Sequence, residues 1–500
     1  MDLLSNLTLG ASQALGFDNL LYCFVGCLLG TLIGVLPGLG PAATIAMLLP
    51  ITFTLDPTSA LIMLAGIYYG AQYGGSTTAI LVNLPGEATS VVTAIDGYQL
   101  ARQGRAGLAL STAAIGSFTA GSIATLIIAM FAPSLAEAAL QFGAPEYFCL
   151  MVLGLVASVV LAQGSLVRAL AMITFGLMIG TVGIDMTSGT QRFTFGLLPL
   201  FDGINIVAVA MGLFGLGEIV NNLSNREEVR IAVSTKIRNL LPSRAELRQI
   251  TWPVLRGTGI GSALGLLPGG GALLASFASY AVEKRLSSEP QRFGKGAIEG
   301  VAGPESANNA GAQTSFIPML TLGIPSNVVI ALMAGAMIIQ GIQPGPAVIR
   351  EQPELFWGLV VSMWVGNLML VVLNLPLIGI WVRLLSIQYR FLFPAIMTFC
   401  AIGVFTLNSN TFDIFVMVVF GLLGYIFRRL DCEPAPLILG MVLGPMMEEY
   451  LRRSMLLSRG SPMIFVERPL SATLLALTVL SILLVAVPAI RKTRDAALQE

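Results

Sequence analysis

The chain has no histidine, and only 11% of its 500 residues are charged. Without histidine there is no imidazole proton relay, no H-E-x-x-H metal site and no partner for a nucleophile elbow. A G-x-x-x-x-G-K-[ST] phosphate loop is also missing, which argues against ATP-driven transport by this polypeptide. The five cysteines (Cys23, Cys27, Cys149, Cys400, Cys432) include no C-x-x-C pair. Cys23 and Cys27 lie four apart on one face of a helix and read as small packing residues rather than a disulfide or zinc site. Basic and acidic residues number 27 each, so the net charge is zero and nothing draws the chain as a whole to nucleic acid. Met1–Asn19 has no basic n-region and no cleavage site, so no signal peptide is expected.

So little charge cannot cover a soluble surface. Apolar residues make up 55% of the chain and the mean hydropathy is +0.83. Long stretches carry no Asp, Glu, Lys or Arg, among them Asn19–Leu55, Pro57–Gly86, Gly107–Ala136, Ser306–Ile349 and Leu355–Val382. A bilayer crossing takes about 20 apolar residues, and each of these is long enough. The expectation is an all-α polytopic membrane protein with about 11 to 13 membrane helices, some of them broken or re-entrant. Arg226, Arg230, Lys236, Arg238, Arg244, Arg248 and Arg256 make residues 221–256 the most basic stretch, which reads as a cytoplasmic linker. The N-terminal tail, with Asp2 and Asp18 and no basic residue, then faces outside, and Arg491, Lys492 and Arg494 put the C-terminus inside. The divisions are a first membrane repeat over 1–220, the linker 221–256, a second repeat with additional spans over 257–468, and a last membrane helix with a cytoplasmic tail over 469–500.

The two halves carry related glycine ladders. GCLLGTLIGVLPGLG from Gly26 and GTGIGSALGLLPGGG from Gly257 share seven of fifteen positions at a constant offset of 231. A second pair follows each ladder: YGGSTTAILVNLPGEATSVV from Tyr73 and NAGAQTSFIPMLTLGIPSNVV from Asn309, whose register needs a small gap. With the charge bias, the halves have opposite orientation, so two inverted-topology repeats are expected. The ladder glycines themselves also suit plain helix packing. The Pro37-Gly38-Leu39-Gly40-Pro41 and Pro268-Gly269-Gly270-Gly271 clusters differ, because proline removes a backbone donor and glycine opens other conformations. They read as helix breaks within the membrane whose freed carbonyls suit a cation, or else as turns at its surface.

GVLPGLGPAATIAMLLP, YYGAQYGGSTTAILVNLPGEATSVVTAIDGYQLARQGRAGLAL and GPESANNAGAQTSFIPMLTLGIPSNVVIALMAGAM resemble the large membrane subunit of the tripartite tricarboxylate transporters, and the resemblance spans nearly the whole chain. It implies a bacterial inner-membrane secondary transporter for citrate-like or other carboxylates, driven by a sodium or proton gradient. It also implies two partners, a small four-span membrane subunit and a periplasmic solute-binding protein. No other cofactor is expected.

Hydroxyls, amides and exposed N–H groups at helix N-termini can hold a carboxylate inside a membrane. Ser76, Thr77, Thr78 and Asn83 offer such groups in a first hairpin, Gly74–Gly86. Asn308, Asn309, Gln313, Thr314, Ser315, Ser326 and Asn327 offer them around a second, Gly311–Asn327. Ser and Thr at these places also suit back-bonding to their own helices. Glu87 and Glu305 are the candidate coupling carboxylates, with a water-interface position as the alternative. Asp56, Asp185, Asp202 and Asp413 read as loop residues, and Glu448-Glu449 before Arg452-Arg453 as a solvated helix end. A channel or another organic-anion carrier uses the same kind of breaks, and an intramembrane enzyme is the remote alternative; saturable, gradient-driven uptake separates the first, product formation the second.

Overall fold

The computed structural model describes residues 3–36, 40–83, 87–161, 165–185, 188–217, 241–267, 271–384 and 409–486, with isolated positions at 220 and between 394 and 405. The architecture is all-α. Among the described residues the one sheet is a pair of two-residue strands, Gly183–Ile184 antiparallel to Gln191–Arg192. Among the described residues, four apolar helical stretches are long enough to cross a membrane: Phe17–Val35, Val91–Ala139, Pro353–Asn374 and Thr411–Arg429. Six shorter apolar helices accompany them. Several of the apolar runs among the described residues are short helices rather than single long crossings, as an expectation of about 11 to 13 membrane helices with some of them broken allows.

The elements that build the centre are α1 (Leu3–Ala14), α2 (Phe17–Val35), α3 (Pro41–Thr52), α4 (Pro57–Val82), α5 (Val91–Leu100) and α6 (Ala106–Ala139). Next come α7 (Ala144–Leu161), α8 (Leu166–Gly180) and α9 (Ile206–Ala210). After the linker come α10 (Arg244–Leu264), α11 (Gly271–Leu286), α12 (Glu299–Thr314), α13 (Phe316–Leu322), α14 (Val328–Ile339), α15 (Pro346–Glu351) and α16 (Pro353–Asn374). Then follow α17 (Ile378–Leu384), α18 (Thr411–Arg429) and α19 (Ala435–Leu457). The halves interleave: α16 packs on α1 and α4, α12 on α6, and α19 on α7 and α8.

Local chemistry explains the boundaries. The Asp56 carboxylate accepts from the Thr58 N–H and Pro57 occupies the first turn, so α4 starts there. It ends at Asn83, which adopts a left-handed conformation (φ 57°, ψ 29°). Asparagine tolerates that region because its side chain is short and polar. α13 ends the same way at Gly323 (φ 72°, ψ 15°). Between α5 and α6 a π turn at Ala101–Arg105, with Gly104 at φ 79°, bends an otherwise continuous helical run.

The ladders pack as the small-residue pattern predicts. A Cβ on Gly26, Gly30 or Gly34 of α2 would stand 2.2–2.4 Å from the carbonyl oxygens of Met63, Ile67 and Ala71 of α4. On Gly257, Gly261 and Gly265 of α10, a Cβ would stand 2.2–2.5 Å from those of Gly303, Ala307 and Gly311 of α12. The facing carbonyls in the two pairs (63/303, 67/307, 71/311) differ by 240 throughout, and so do the two left-handed caps, Asn83 and Gly323. No gap is needed from Met63 to the cap, a correction to the register expected from sequence. Within each pair the helices run parallel. Between the pairs, Ser76 of α4 meets Glu305 and Tyr69 meets Phe316, so α4 and α12 run antiparallel.

The first expected hairpin, Gly74–Gly86, is not a hairpin over most of its length, because α4 stays helical through Val82. The glycines that suggested a break are used for close approach instead. A Cβ on Gly70 or Gly74 would meet the backbone of Cys27 and Thr31 at 2.4–2.6 Å. Helical glycine costs about 1 kcal/mol relative to alanine, which close backbone packing offsets. In the second segment α12 continues through Thr314, and the chain turns only at Gly323–Asn327. Asp413, expected in a loop, is buried in the first turn of α18, beside Asn205. Cys23 and Cys27 are buried free thiols facing the Ser362 and Gly366 carbonyls, in keeping with a packing role.

Candidate functional site

Where α4, α5, α6 and α12 meet, a carboxylate is sealed inside the molecule. Glu305 is 0% exposed. Its Oε1 accepts from Ser76 Oγ (2.7 Å), Ser117 Oγ (3.1 Å) and Asn309 Nδ2 (3.1 Å). Its Oε2 accepts from Thr93 Oγ1 (2.8 Å). Asn309 Nδ2 also donates to Ser117 Oγ (2.8 Å) and to the Glu305 carbonyl (3.0 Å). Every donor is neutral. Burying a carboxylate without a cationic partner is costly, and several hydrogen bonds offset part of that cost. Such a group within a membrane protein is a candidate for a pathway or relay.

Around it the polar groups split into satisfied and unsatisfied. Neither amide atom of Asn308, which is 0% exposed, is in a hydrogen bond of normal geometry, although the Glu87 carboxylate stands near enough to interact with it and with Glu305. Glu87 accepts from Thr89, whose hydroxyl also lies 3.0 Å from Gln72 Oε1. Gln313 Oε1 and the hydroxyls of Tyr69 and Tyr73 are buried without protein partners. An unmade hydrogen bond on a buried polar atom costs about 1–3 kcal/mol, so a concentration of them makes this region the candidate site.

The structure brings Ser76, Asn309 and Glu305 into one cluster, with Glu87 and Asn308 beside it. Ser326 and Asn327 form an adjoining edge: Ser326 Oγ donates to the Ser315 carbonyl (3.0 Å), and Asn327 Nδ2 to Tyr68 Oη (3.3 Å). Asn327 also caps α14 through the Ile330 N–H. Other expected residues do local work. Thr78 Oγ1 donates to the Val35 carbonyl (2.9 Å) and ties α4 to the end of α2, while Thr314 and Ser315 back-bond to Ala310 and Ala312. Asn83 is an exposed cap and touches none of the cluster's residues through a hydrogen bond of its side chain among those described. Pro37, Gly38, Pro268, Gly269 and Gly270 lie outside the described residues; their neighbours Gly40 and Gly271 stand at the starts of α3 and α11.

Sequence reasoning missed Thr93, Ser117, Tyr73 and Asn374. Asn374 carried a readable signal, an amide within an otherwise apolar stretch. Ser117, among many small residues of α6, carried none. Asp96 and Glu299 stand at the start of α12: Asp96 Oδ1 accepts from the Gly296 and Ala297 N–H groups (2.7 and 2.8 Å), Oδ2 accepts from Tyr280 Oη (2.9 Å), and Glu299 accepts from Gln249. They hold the entry to α12 and with it the height of Glu305. The expected solvated helix end at Glu448–Arg453 has the predicted i,i+4 pairs, and Arg192 and Asp185 join it into an ion-pair ring.

The chain is similar to two proteins of Agrobacterium vitis. One, an "uncharacterized 52.8 kDa protein in TAR-I ttuC' 3'region", is 61% identical over 495 residues, covering 99% of this chain and 98% of that protein. The other, an "uncharacterized protein in TAR-II ttuC' 3'region", is 62% identical over 235 residues, or 47% of this chain and 97% of that protein. No solved structure matches. Residues 20–439 match the model of the tripartite tricarboxylate transporter TctA family, a span that contains both ladders, the Glu305 cluster and the edge at Asn327. On that match the chain is a member of the tripartite tricarboxylate transporter TctA family.

Proposed function

We propose that this chain is the large translocating subunit of a secondary transporter for tricarboxylates or other small carboxylates, working in the bacterial inner membrane. Membership of a tripartite transporter family implies partner subunits. We take these to be a small four-span membrane subunit and a periplasmic binding protein that delivers substrate. The single observation that carries the reading is the sealed Glu305, held by neutral donors where helices of both halves cross.

The halves are read as inverted repeats. The common offset of 240, the parallel pairing inside each half and the antiparallel meeting of α4 with α12 all support this. A pseudo-two-fold axis in the membrane plane then passes beside the cluster, where rocking of one half against the other alternates access. The substrate carboxylates are assigned to the amides of Asn308, Gln313 and Asn327 and to N–H groups at the turn before α14, where the helix dipole favours an anion. Glu87 and Glu305 respond to the coupling ion.

The test is uptake by proteoliposomes holding this chain with both partners, run over a panel of mono-, di- and tricarboxylates and over sodium and proton gradients. Saturable, gradient-driven uptake that needs all three components is expected. Conduction without saturation, or full-rate uptake by this subunit alone, refutes the reading.

A further inference from the structure

Beside Glu305 lies a cavity of about 10 Å³, the room of one water-sized body, between α4, α6, α12 and the end of α16. Its polar lining is Tyr73, Ser76, Thr77, Ser117, Glu305 and Asn374. Every polar atom these side chains can turn to the cavity is an oxygen, apart from the amide nitrogen of Asn374. That nitrogen is committed elsewhere: it donates to the Leu370 carbonyl (2.9 Å) and to Thr31 Oγ1 (3.4 Å). A backbone carbonyl can only accept, so this bond fixes which way the amide faces. Asn374 Oδ1 is left buried with no donor.

The hydroxyl hydrogens of Thr77, Ser76 and Ser117 have acceptors of their own. Thr77 Oγ1 donates to the Tyr73 carbonyl (3.2 Å), and Ser76 Oγ has the Gln72 carbonyl at 3.1 Å as an alternative to Glu305. Ser117 Oγ already receives the Asn309 amide. Tyr73 Oη, also buried, has no protein partner. The lining therefore offers lone pairs and one carboxylate charge, and no cationic residue. An anion is repelled there, and a hard cation finds the all-oxygen surroundings that such ions prefer.

We propose that this cavity is a binding site for one dehydrated monovalent cation of sodium's size, held by Glu305, Ser76, Thr77, Tyr73 and Asn374. The proposal rests on the transporter reading for its role in coupling, but not for its existence. It links the two halves, since Ser76, Thr77 and Tyr73 lie on α4 while Glu305 and Asn374 lie on α12 and α16. An ion there neutralises Glu305 and draws the crossing helices together. Potassium, about as large as a water, also fits the space, but the Glu305 carboxylate attracts the smaller sodium more strongly because it approaches more closely.

The experiment uses the purified full-length chain in nanodiscs, titrated with sodium chloride against choline chloride at constant ionic strength. Saturable binding by calorimetry and a sodium-dependent rise in melting temperature are expected, with potassium weaker in both. Glu305→Gln and Asn374→Ala each weaken sodium binding at least tenfold. Tyr73→Phe removes one unpartnered hydroxyl with little change of shape and weakens it at least threefold. Equal melting temperatures in choline separate a lost site from a damaged fold, and Tyr73→Phe keeps the test decisive if a harsher variant fails to fold. Absence of sodium binding in the wild-type chain, or unchanged binding in Asn374→Ala and Tyr73→Phe, overturns the proposal. Proton-driven uptake in the absence of sodium binding removes the cation site and leaves the transporter reading standing. Sodium binding without uptake of any acid does the reverse.

Discussion

The helix pairs α2–α4 and α10–α12 are built alike and furnished differently. In both, three glycines spaced by four lie against three backbone carbonyls of a parallel partner. At corresponding positions of the partner helices, however, Ala65 stands against Glu305, Tyr68 against Asn308 and Tyr69 against Asn309. The shared feature is backbone contact, which needs only the absence of a side chain. The divergent feature is the face turned toward the middle of the molecule: aromatic on α4, acidic and amide-rich on α12. Repetition supplies the frame, and its breaking supplies the chemistry.

The largest effects come from attacking what the pairs share. Gly30→Val and Gly261→Val force a branched side chain against carbonyls that already stand 2.3 and 2.2 Å from where a Cβ would sit. Overpacking of this kind costs about 1–3 kcal/mol or more, and the helices must separate. Both variants should lose melting temperature by similar amounts and fall to low membrane levels. Gly259→Ala on the outer face of α10, where a Cβ meets nothing within 4 Å, is the control and should match the wild type. A tolerant Gly261→Val beside an intolerant Gly30→Val breaks the equivalence of the two pairs.

Attacking the difference should affect transport and spare assembly. Asn309→Ala removes the amide that bridges Ser117 and Glu305, and uptake should fall at least tenfold while the protein still reaches the membrane. At the corresponding position, Tyr69→Phe removes a buried hydroxyl with no protein partner. Uptake there should stay within about twofold and stability should hold or rise slightly, since an unmet polar group is removed. Equal losses of uptake in the two variants refute the assignment of chemistry to α12.

A smaller contrast separates the two left-handed caps. A Cβ on Gly323 would stand 2.6 Å from the Pro344 carbonyl oxygen, at a φ of 72°. Gly323→Ala is therefore strained on both counts and should destabilise by about 1–3 kcal/mol. Asn83→Gly replaces one residue suited to the left-handed region with another and should change stability by only a few tenths of a kcal/mol. Thermal melts of the two variants side by side check this.

Much of this frame was legible before any coordinates. The ladders, their offset and the polar residues following them stand in the sequence because glycine spacing at i, i+4, i+8 is a local pattern. The expectation failed where a local pattern had two readings. The glycines around Gly74 looked like a break, yet α4 remains helical because the same glycines let α2 approach, and that neighbour cannot be read from α4 alone. Glu305 was named, but its environment was not, since Thr93, Ser117 and Asn374 reach it or its cavity from distant parts of the chain. The legible part is what one helix says about itself. The illegible part is which helices meet.

The smallest expected effect concerns how the two ladders begin. α2 starts at Gly16 with no side-chain cap, whereas α10 starts with a capping box. Ser243 Oγ accepts from the Glu246 N–H, and the Glu246 carboxylate accepts from the Ser243 N–H (2.8 Å) and hydroxyl (2.7 Å). The Ser243 backbone N–H, then its hydroxyl and Arg105 in a smaller share, hold the Glu246 carboxyl below its ordinary value. A carboxylate whose folded pKa is lowered contributes stability that is fully present above the unfolded value, about 4.3. That contribution is lost as pH falls through the lowered folded value. The carboxylate lies in the polar first turn, partly open to solvent, so screening keeps the effect small. Melting curves of the wild type and Glu246→Gln should thus differ by a degree or two near pH 7 and converge below about pH 4. A Glu246→Gln difference that persists unchanged into acid shows that the carboxylate charge is not what holds the start of α10.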